Sequence, residues 1–328
     1  MDTPIFIVGG PRSGTTLLRN MLNRHPAIAI CRETEFFHWV YARRRTFGSL
    51  SDMRNRQRVV KAYLATRRIR RMKVDLQALE ETLLREGASY EELFLSLMRF
   101  FARVHGRRRC GEKTPHNALV AEILCQWYPG ASVIHLLRDP RDAVASMLRM
   151  PWAPGNVRSN ALSWLLFNLA AWRLRSSPRY LLVRYEQLVA QPEQELRRIC
   201  AFVGEEYFPA MLVPNWDPTA DLPWFRRAEE PVTTGRLGKW REELTADQVA
   251  LVEWYVGPHM QTFGYEAVGR RPPSPAIVCD LISAACDAVR KRVRQFPAVL
   301  YYLMRSSKLV SEEAARERYL QSVSMEKT

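Results

Sequence analysis

The stretch FIVGGPRSGTTLLRNML, residues 6–22, decides the fold class of this chain. A short apolar segment runs into a glycine turn, and apolar residues then recur with helical spacing through residues 17–22. A strand, a turn and a helix in this order predict the first half of a βαβ unit. The glycine turn and the start of the helix offer backbone N–H groups to a phosphate-sized anion.

The glycine turn resembles the triphosphate-binding loop GxxxxGK[ST], but it lacks the lysine. Gly9 opens the loop, Gly14 closes it, and Thr15 stands at the position of the lysine. Arg12 supplies a positive charge from inside the loop, and hydroxyl groups beside it add donors. This donor set predicts a site for one phosphate or sulfate group, because a magnesium-bound triphosphate usually requires the lysine.

Short apolar segments alternate with helical patterns along the rest of the chain. Further strands are expected at AIAI (27–30), SVIHLLR (132–138) and RYLLVR (179–184), whereas RRRCGEKTPHN (107–117) reads as a loop. The alternation predicts an α/β fold with a P-loop-like parallel sheet flanked by helices.

A second candidate for anion binding lies where the segment 132–138 ends. Arg138 stands at the end of this predicted strand, and Asp139 and Pro140 are suited to the start of a helix. Ser146 follows about two helical turns after them. Because α/β folds bind ligands at the carboxyl ends of parallel strands, we expect Arg138 beside the glycine loop.

The net charge of +15 predicts an anionic partner: a phosphorylated ligand, nucleic acid or an acidic membrane surface. Residues 41–110 hold 18 basic and seven acidic residues in a mostly helical pattern. This basic helical insert either exposes solvated helix faces or forms a lid over an anionic substrate. No RNA-binding signature accompanies the charge, so specific nucleic-acid binding is not expected.

Residues 1–268 are expected to form the main domain, and residues 269–328 a linker and a C-terminal amphipathic helical extension. The helix has a basic polar face, and three roles stay open for it: packing on the core, pairing in a homodimer, or peripheral contact with a membrane.

Cysteine usage and hydropathy predict a cytoplasmic protein. The six cysteines have neither CxxC nor metal-ligand spacing, which is typical of free thiols in a reducing compartment. No signal peptide is visible. The longest apolar stretch, 161–172, is shorter than the about 20 residues of a membrane span and predicts a core helix. Only seven of the 49 basic residues are lysines, which favours a GC-rich bacterial genome.

Two motifs carry a family resemblance. GGPRSGTTLLRNMLNRHP (9–26) resembles the 5′-phosphosulfate loop of sulfotransferases that use 3′-phosphoadenosine 5′-phosphosulfate (PAPS). VIHLLRDPRDAVASML (133–148) resembles their 3′-phosphate-binding strand and helix. The similarity extends over roughly residues 4–265 and is strongest to the bacterial and tyrosylprotein branch. It implies a PAPS-dependent sulfotransferase.

The resemblance implies donor-binding roles residue by residue. Arg12 would contact the bridging region of the phosphosulfate, and Arg138 with Ser146 would hold the 3′-phosphate. Tyr185 matches a tyrosine near the adenosine. The residues that would wrap the 5′-phosphate are Ser13, Gly14, Thr15 and Thr16. The segment that closes over the donor often reads Ser-x-Gly-Arg-Trp in the family, and here it has Arg236 and Lys239 instead of serine and arginine; both are candidate phosphate contacts.

The resemblance also implies the catalytic residues. Glu33, in CRETEFF, falls at the position of the general base in the tyrosylprotein branch. Lys113, in CGEKTP, falls at that of a lysine that polarises the transferring sulfuryl group. Glu35 is an alternative base, and the histidines His38 and His116 are others, because the cytosolic small-molecule branch uses histidine.

The predicted reaction is in-line transfer of a sulfuryl group from PAPS to a hydroxyl of a carbohydrate, a lipid or a small molecule. Cations would stabilise the leaving phosphate and a base would take the hydroxyl proton, with no metal required. An atypical P-loop kinase or NTPase, or a non-enzymatic binder of anionic ligands, are the alternatives.

Overall fold

The computed structural model describes residues 3–213, 232–269 and 271–287. These residues group into two compact units. The first unit comprises the described residues up to Arg138 and those from Leu165 to Leu237. The second unit takes Asp139–Trp164 and the described residues from Gly238 onward.

A five-stranded parallel sheet lies in the first unit. Its strands are β1 (Ile5–Gly9), β2 (Ile28–Cys31), β3 (Arg109–Lys113), β4 (Ser132–Leu137) and β5 (Tyr180–Arg184). Their order is β2-β3-β1-β4-β5, and every pairing is parallel. The sheet confirms the α/β fold class that the alternation of strands and helices predicts.

The prediction that residues 107–117 form a loop is wrong for β3. Arg109–Lys113 pairs with both β1 and β2, and all five residues are buried. The helical insert therefore ends before Arg109 and does not extend to residue 110. Charged residues hide this strand in the sequence, since a buried strand normally reads as an apolar run; here partners inside the fold compensate the charges, as Glu205 does for Arg109.

Short and medium-length helices flank the sheet and form the insert. The helices are α1 (Thr15–Leu22), α2 (Phe36–Trp39), α3 (Arg44–Phe47), α4 (Met53–Leu64), α5 (Arg67–Arg70), α6 (Leu76–Glu86), α7 (Tyr90–Val104) and α8 (Ala121–Trp127). Later in the chain come α9 (Pro140–Leu148), α10 (Val157–Trp172), α11 (Tyr185–Ala190), α12 (Pro192–Val203), α13 (Trp240–Glu243), α14 (Ala246–Val256), α15 (His259–Thr262) and α16 (274–287). Within the described residues, 3₁₀ helices cover Tyr41–Arg43, Pro115–Val120 and Pro209–Leu212.

The two faces of the sheet bury separate apolar clusters. Alternate side chains of a strand point to opposite faces, so Phe6 belongs to one cluster and Ile7 to the other. On the first face the ring of Phe94, from α7, stacks on Phe6 and on Phe36. Complete burial of each such side chain contributes about 1.5–3 kcal/mol. Helices of the insert thus belong to the core of the first unit.

Caps and ion pairs order the second unit. The Asp139 side chain accepts a hydrogen bond from the N–H of Arg141, which confirms Asp139 as the N-cap of α9. Arg141 also pairs with Glu253 of α14 at 3.0 Å. Asp280, on α16, accepts hydrogen bonds from the first N–H groups of α10. The remainder of the predicted C-terminal helix lies outside the described residues.

Candidate functional site

The glycine loop after β1 requires its two bounding glycines. Gly9 has φ 146°, and a Cβ there would lie 2.3 Å from the carbonyl oxygen of Leu136 on β4. Gly14 has φ 92°, and a Cβ there would lie 2.5 Å from the ring of Tyr185. Any side chain at either position therefore meets both backbone strain and a close contact.

Arg12 and Ser13 form the turn of the loop. Arg12 adopts φ 64°, a left-handed conformation that is uncommon for a residue with a side chain. Ser13 is completely buried, and within the described parts of the chain its Oγ has no hydrogen-bond partner. Gly14 is the N-cap of α1, so the first turn of the helix has no N-cap side chain of its own. A buried donor at a helix N-terminus suits an anion. Thr15 and Thr16 are the first two residues of that helix.

Arg138, directly after β4, lies against the glycine loop as the sequence predicts. Its Nη1 donates to the carbonyl oxygen of Arg12 at 3.3 Å, and its Nη2 donates to that of Arg236 at 2.9 Å. Its guanidinium group lies 4.4 Å from the ring centre of Tyr185, which follows β5. The structure therefore brings the loop, Arg138, Tyr185 and the backbone of Arg236 together.

Glu33 and Lys113 form an ion pair. Lys113 Nζ donates to Glu33 Oε1 at 2.6 Å, and Arg68 from α5 donates to Glu33 Oε2 at 3.1 Å. Burial raises the pKa of Glu33, but the charges of Lys113 and Arg68 outweigh burial and lower it to about 2. Burial lowers the pKa of Lys113, which is 2% exposed, and the Glu33 carboxylate opposes that effect. The sequence names both residues but does not predict that they pair.

The alternative bases have other surroundings. Glu35 contacts Arg68 and accepts a hydrogen bond from Trp39 Nε1 at 2.9 Å. His38 is exposed, with its ring edge-on to that of Trp39. His116 is exposed and packs on the ring of Phe167. Among these four candidates, the ion pair with Lys113 distinguishes Glu33.

Glu112 is a buried glutamate beside the site whose hydrogen bonds the sequence does not reveal. It precedes Lys113 in β3, is 1% exposed, and accepts four hydrogen bonds from Thr34, Thr114 and Asn117. Burial raises its pKa to about 7, although these hydrogen bonds favour the charged form. The sequence shows a glutamate beside the lysine of CGEKTP, but it indicates a buried hydrogen-bonding role only once β3 is known to be a buried strand.

Ser146 and Lys239 belong to the second unit. Ser146 is buried on α9. Lys239 pairs with Glu242 at 2.7 Å, at the solvent-facing start of α13. The carboxylate of Asp142, also on α9, accepts hydrogen bonds from the N–H groups of Gly238 and Trp240, and these bonds fix the segment that carries Lys239.

Each of the five strands has a candidate residue at or just after its carboxyl end, which is the same edge of the parallel sheet. β1 leads into the glycine loop, β2 is followed by Glu33, β3 ends in Lys113, β4 is followed by Arg138 and β5 by Tyr185. A pocket at this edge has the following lining: Thr16, Arg19, Arg32, Glu33, Arg68, Arg71 and Lys113. Five of these seven residues are cations, so the pocket attracts anions. Within residues 3–213, 232–269 and 271–287, no group of three or more His, Cys, Asp and Glu residues could hold a metal ion.

The sheet, the glycine loop and the cationic edge define an α/β protein with a phosphate-type loop. The model of the sulfotransferase family matches residues 4–209, which is more than half of the chain. The protein therefore belongs to the sulfotransferase family, and the family supports sulfuryl transfer as its reaction.

Similar proteins span several kinds of sulfotransferase. The nodulation protein NoeE of Sinorhizobium fredii is 26% identical over 295 residues, covering 80% of this chain and 65% of its own length. Protein-tyrosine sulfotransferase 2 of Gallus gallus is 25% identical over 303 residues, covering 84% of this chain and 74% of its own. The omega-hydroxy-beta-dihydromenaquinone-9 sulfotransferase Stf3 of Mycobacterium tuberculosis is 26% identical over 320 residues, covering 84% and 78%.

A solved structure has the same fold. The sulfotransferase domain from the Synechococcus PCC 7002 olefin synthase superposes with a TM-score of 0.55 and 26% identity, and the match covers 81% of this chain and 97% of that domain. No helix within the described residues has the length and apolar character to cross a membrane.

Proposed function

We propose that this protein transfers a sulfuryl group from PAPS to a hydroxyl group of its acceptor, with Glu33 as the general base. One observation carries the proposal. At the carboxyl ends of the five strands lie the glycine loop, Glu33, Lys113, Arg138 and Tyr185. The family match supports sulfuryl transfer, and the edge residues supply the chemical groups that this donor and reaction need.

The donor carries two separate anionic groups, and the candidate residues form two sets that suit them. For the 5′-phosphosulfate, the loop from Arg12 to Thr16 offers backbone N–H groups and hydroxyls, including the buried Ser13 Oγ. For the 3′-phosphate, Arg138 offers its guanidinium group beside Tyr185, the residue that the resemblance assigns to the adenosine. The resemblance assigns Ser146 to the 3′-phosphate, and Arg236 and Lys239 remain candidate phosphate contacts.

The proposed chemistry needs a base and positive charge, but no covalent intermediate. The acceptor hydroxyl loses its proton to Glu33 as its oxygen bonds to sulfur and the bond from sulfur to the bridging phosphate oxygen breaks. Negative charge builds on the leaving phosphate, where Arg12 stabilises it, and Lys113 polarises the transferring sulfuryl group. Lys113 lies next to the base, because it forms an ion pair with Glu33.

The acceptor is a carbohydrate, a lipid or a small molecule in this proposal. The relatives' names specify a protein tyrosine in one case and an omega-hydroxy compound in another, so they agree on a hydroxyl and not on its carrier. The basic insert would form the acceptor side of the site. The domain limits of 1–268 and 269–328, a cytoplasmic bacterial location, and membrane or dimer contact through the C-terminal helix stay predictions.

Donor binding is tested by thermal melting with 3′,5′-adenosine bisphosphate (PAP), the desulfated donor. At a concentration of 100 times its Kd, PAP is expected to stabilise the protein by about 2.7 kcal/mol, because it binds only the folded state. ATP with magnesium is the matched control and is expected to stabilise less. Stabilisation by ATP with magnesium but not by PAP would contradict the proposal and favour an atypical kinase. The acceptor is then the metabolite that gains the mass of one SO₃ group from ³⁵S-labelled PAPS in extracts.

Arg138→Ala is expected to weaken PAP binding. The loss of a hydrogen bond to a charged phosphate costs about 1.5–3 kcal/mol, which is about a 10- to 150-fold increase in Kd. Isothermal titration with PAP measures the change, and turnover at saturating PAPS should fall much less. Arg197→Ala removes an exposed arginine from α12 as a control and should leave Kd unchanged. An unchanged Kd for Arg138→Ala would refute the role of this residue.

A further inference from the structure

The β2–β3 ladder ends before the residues that the proposed reaction uses. The last paired residues are Cys31 and Glu112, so Glu33 lies two positions beyond the main-chain hydrogen bonds that join the strands. A general base must keep its carboxylate within hydrogen-bond reach of the proton that it takes. Some other contact must therefore fix the segment that follows β2.

The side chain of Glu112 supplies this contact. Its Oε1 accepts hydrogen bonds from the N–H of Thr34 at 3.0 Å and from the Thr34 hydroxyl at 2.8 Å. The same oxygen accepts a bond from the Thr114 hydroxyl, and Oε2 accepts one from Asn117 Nδ2 at 2.6 Å. Thr34 follows Glu33, and Thr114 follows Lys113. One carboxylate thus joins the two chain segments just past both candidate residues.

The surroundings make this connection rigid. Glu112, Thr34, Thr114 and Asn117 are all at most 4% exposed, so water does not compete for their hydrogen bonds. The carbonyl oxygen of Thr34 also accepts a hydrogen bond from the hydroxyl of Tyr63, at 3.1 Å. Buried polar networks with every member paired hold a single geometry.

We propose that Glu112 is a positioning residue that holds Glu33 and Lys113 in the geometry of their ion pair. Glu112 acts through the backbone of Thr34 and through the hydroxyl of Thr114. The part of this inference that concerns turnover rests on the proposed function, whereas the part that concerns the ion pair does not.

Two substitutions separate positioning from charge. Glu112→Gln keeps Oε1 as the acceptor for Thr34 and Thr114, and a half-turn of the Asn117 amide restores the fourth hydrogen bond. Glu112→Ala removes all four. In the Ala variant we expect the coupling free energy between Glu33 and Lys113, which is their mutual contribution to the free energy of unfolding, to be lost. In the Gln variant we expect this coupling to be kept.

A double-mutant cycle in urea measures this coupling. Glu33→Gln, Lys113→Met and the double variant are compared in the wild-type, Glu112→Gln and Glu112→Ala backgrounds. A residue that only stabilises the fold would lower the stability of all four members of a cycle alike. Coupling that persists in the Ala background would therefore overturn the proposal. If Glu112→Ala does not fold, Thr114→Val removes a single bond to Oε1 and must reduce the coupling.

Turnover gives the second readout. In Glu112→Ala we expect the kcat for PAPS to fall about 10²-fold, because a displacement of about 1 Å is enough for such a loss, with Kd for PAP within about twofold of wild type. Glu112→Gln should rescue kcat. Wild-type protein that binds no PAP would end the proposed function, while the urea cycle would still decide whether Glu112 positions the ion pair. Equal kcat in Glu112→Ala and wild type, with PAP bound, would contradict the positioning role alone.

Discussion

Glu33→Gln is expected to lower kcat with PAPS and the acceptor by about 10²–10⁴-fold, the usual effect of losing a general base. The amide cannot accept the acceptor's proton, yet its oxygen can still accept the hydrogen bond from Lys113 Nζ. Affinity for PAP should therefore stay within about twofold of wild type. Release of ³⁵S-labelled product under single-turnover conditions measures the chemical step.

Glu35→Gln is the matched control for this substitution. Glu35 lies two residues away and contacts the same arginine, Arg68, so its loss changes the local charge equally. Its kcat should stay within a few-fold of wild type. If Glu35→Gln loses more turnover than Glu33→Gln, the base is Glu35. If PAP binding collapses in Glu33→Gln while bound complexes react normally, Glu33 has only a structural role.

Lys113→Met is expected to lower kcat by about 10²–10³-fold and to change the dependence of kcat/KM on pH. The first effect follows from the loss of the cation that polarises the transferring sulfuryl group. The second follows from the pKa of Glu33, which Lys113 and Arg68 together lower to about 2. A base works only when unprotonated, so removing the lysine charge raises this pKa and shifts the acid limb of the kcat/KM profile, which reports the free enzyme, to higher pH.

Lys113→Arg provides the control, because it keeps the charge next to Glu33. Its acid limb should stay at the wild-type pH, although kcat can fall because a guanidinium group differs in shape from an ammonium group. The measurement is kcat/KM for PAPS against pH for the three proteins. An acid limb that does not move in Lys113→Met would show that the ion pair does not control the base.

The glycine loop and its neighbours could be predicted because local sequence specifies them. Gly9 and Gly14 have positive φ angles, and such positions favour glycine wherever they occur. Asp139 and Pro140 mark the start of α9 by rules that act within one helical turn. Arg138 follows directly from the end of the apolar segment before it.

The strand β3 could not be predicted, because its charges are compensated by residues distant in sequence. Arg109 pairs with Glu205, and Lys113 with Glu33, 80 positions away. Without these partners, a buried Arg-Cys-Gly-Glu-Lys strand would be unfavourable, so the segment reads as a surface loop. Glu112 was missed for the same reason, since only burial makes its hydrogen bonds important.

The sequence by itself determined the α/β class, the phosphate-type loop and most of the residues proposed for the donor site, since each depends on spacing within a short segment. Only the tertiary structure decided that β3 lies between β1 and β2, that Glu33 meets Lys113, and that Glu112 joins the segments that carry them. These contacts link residues far apart in the chain. Their energies exist only after the sheet has assembled and water has left the core.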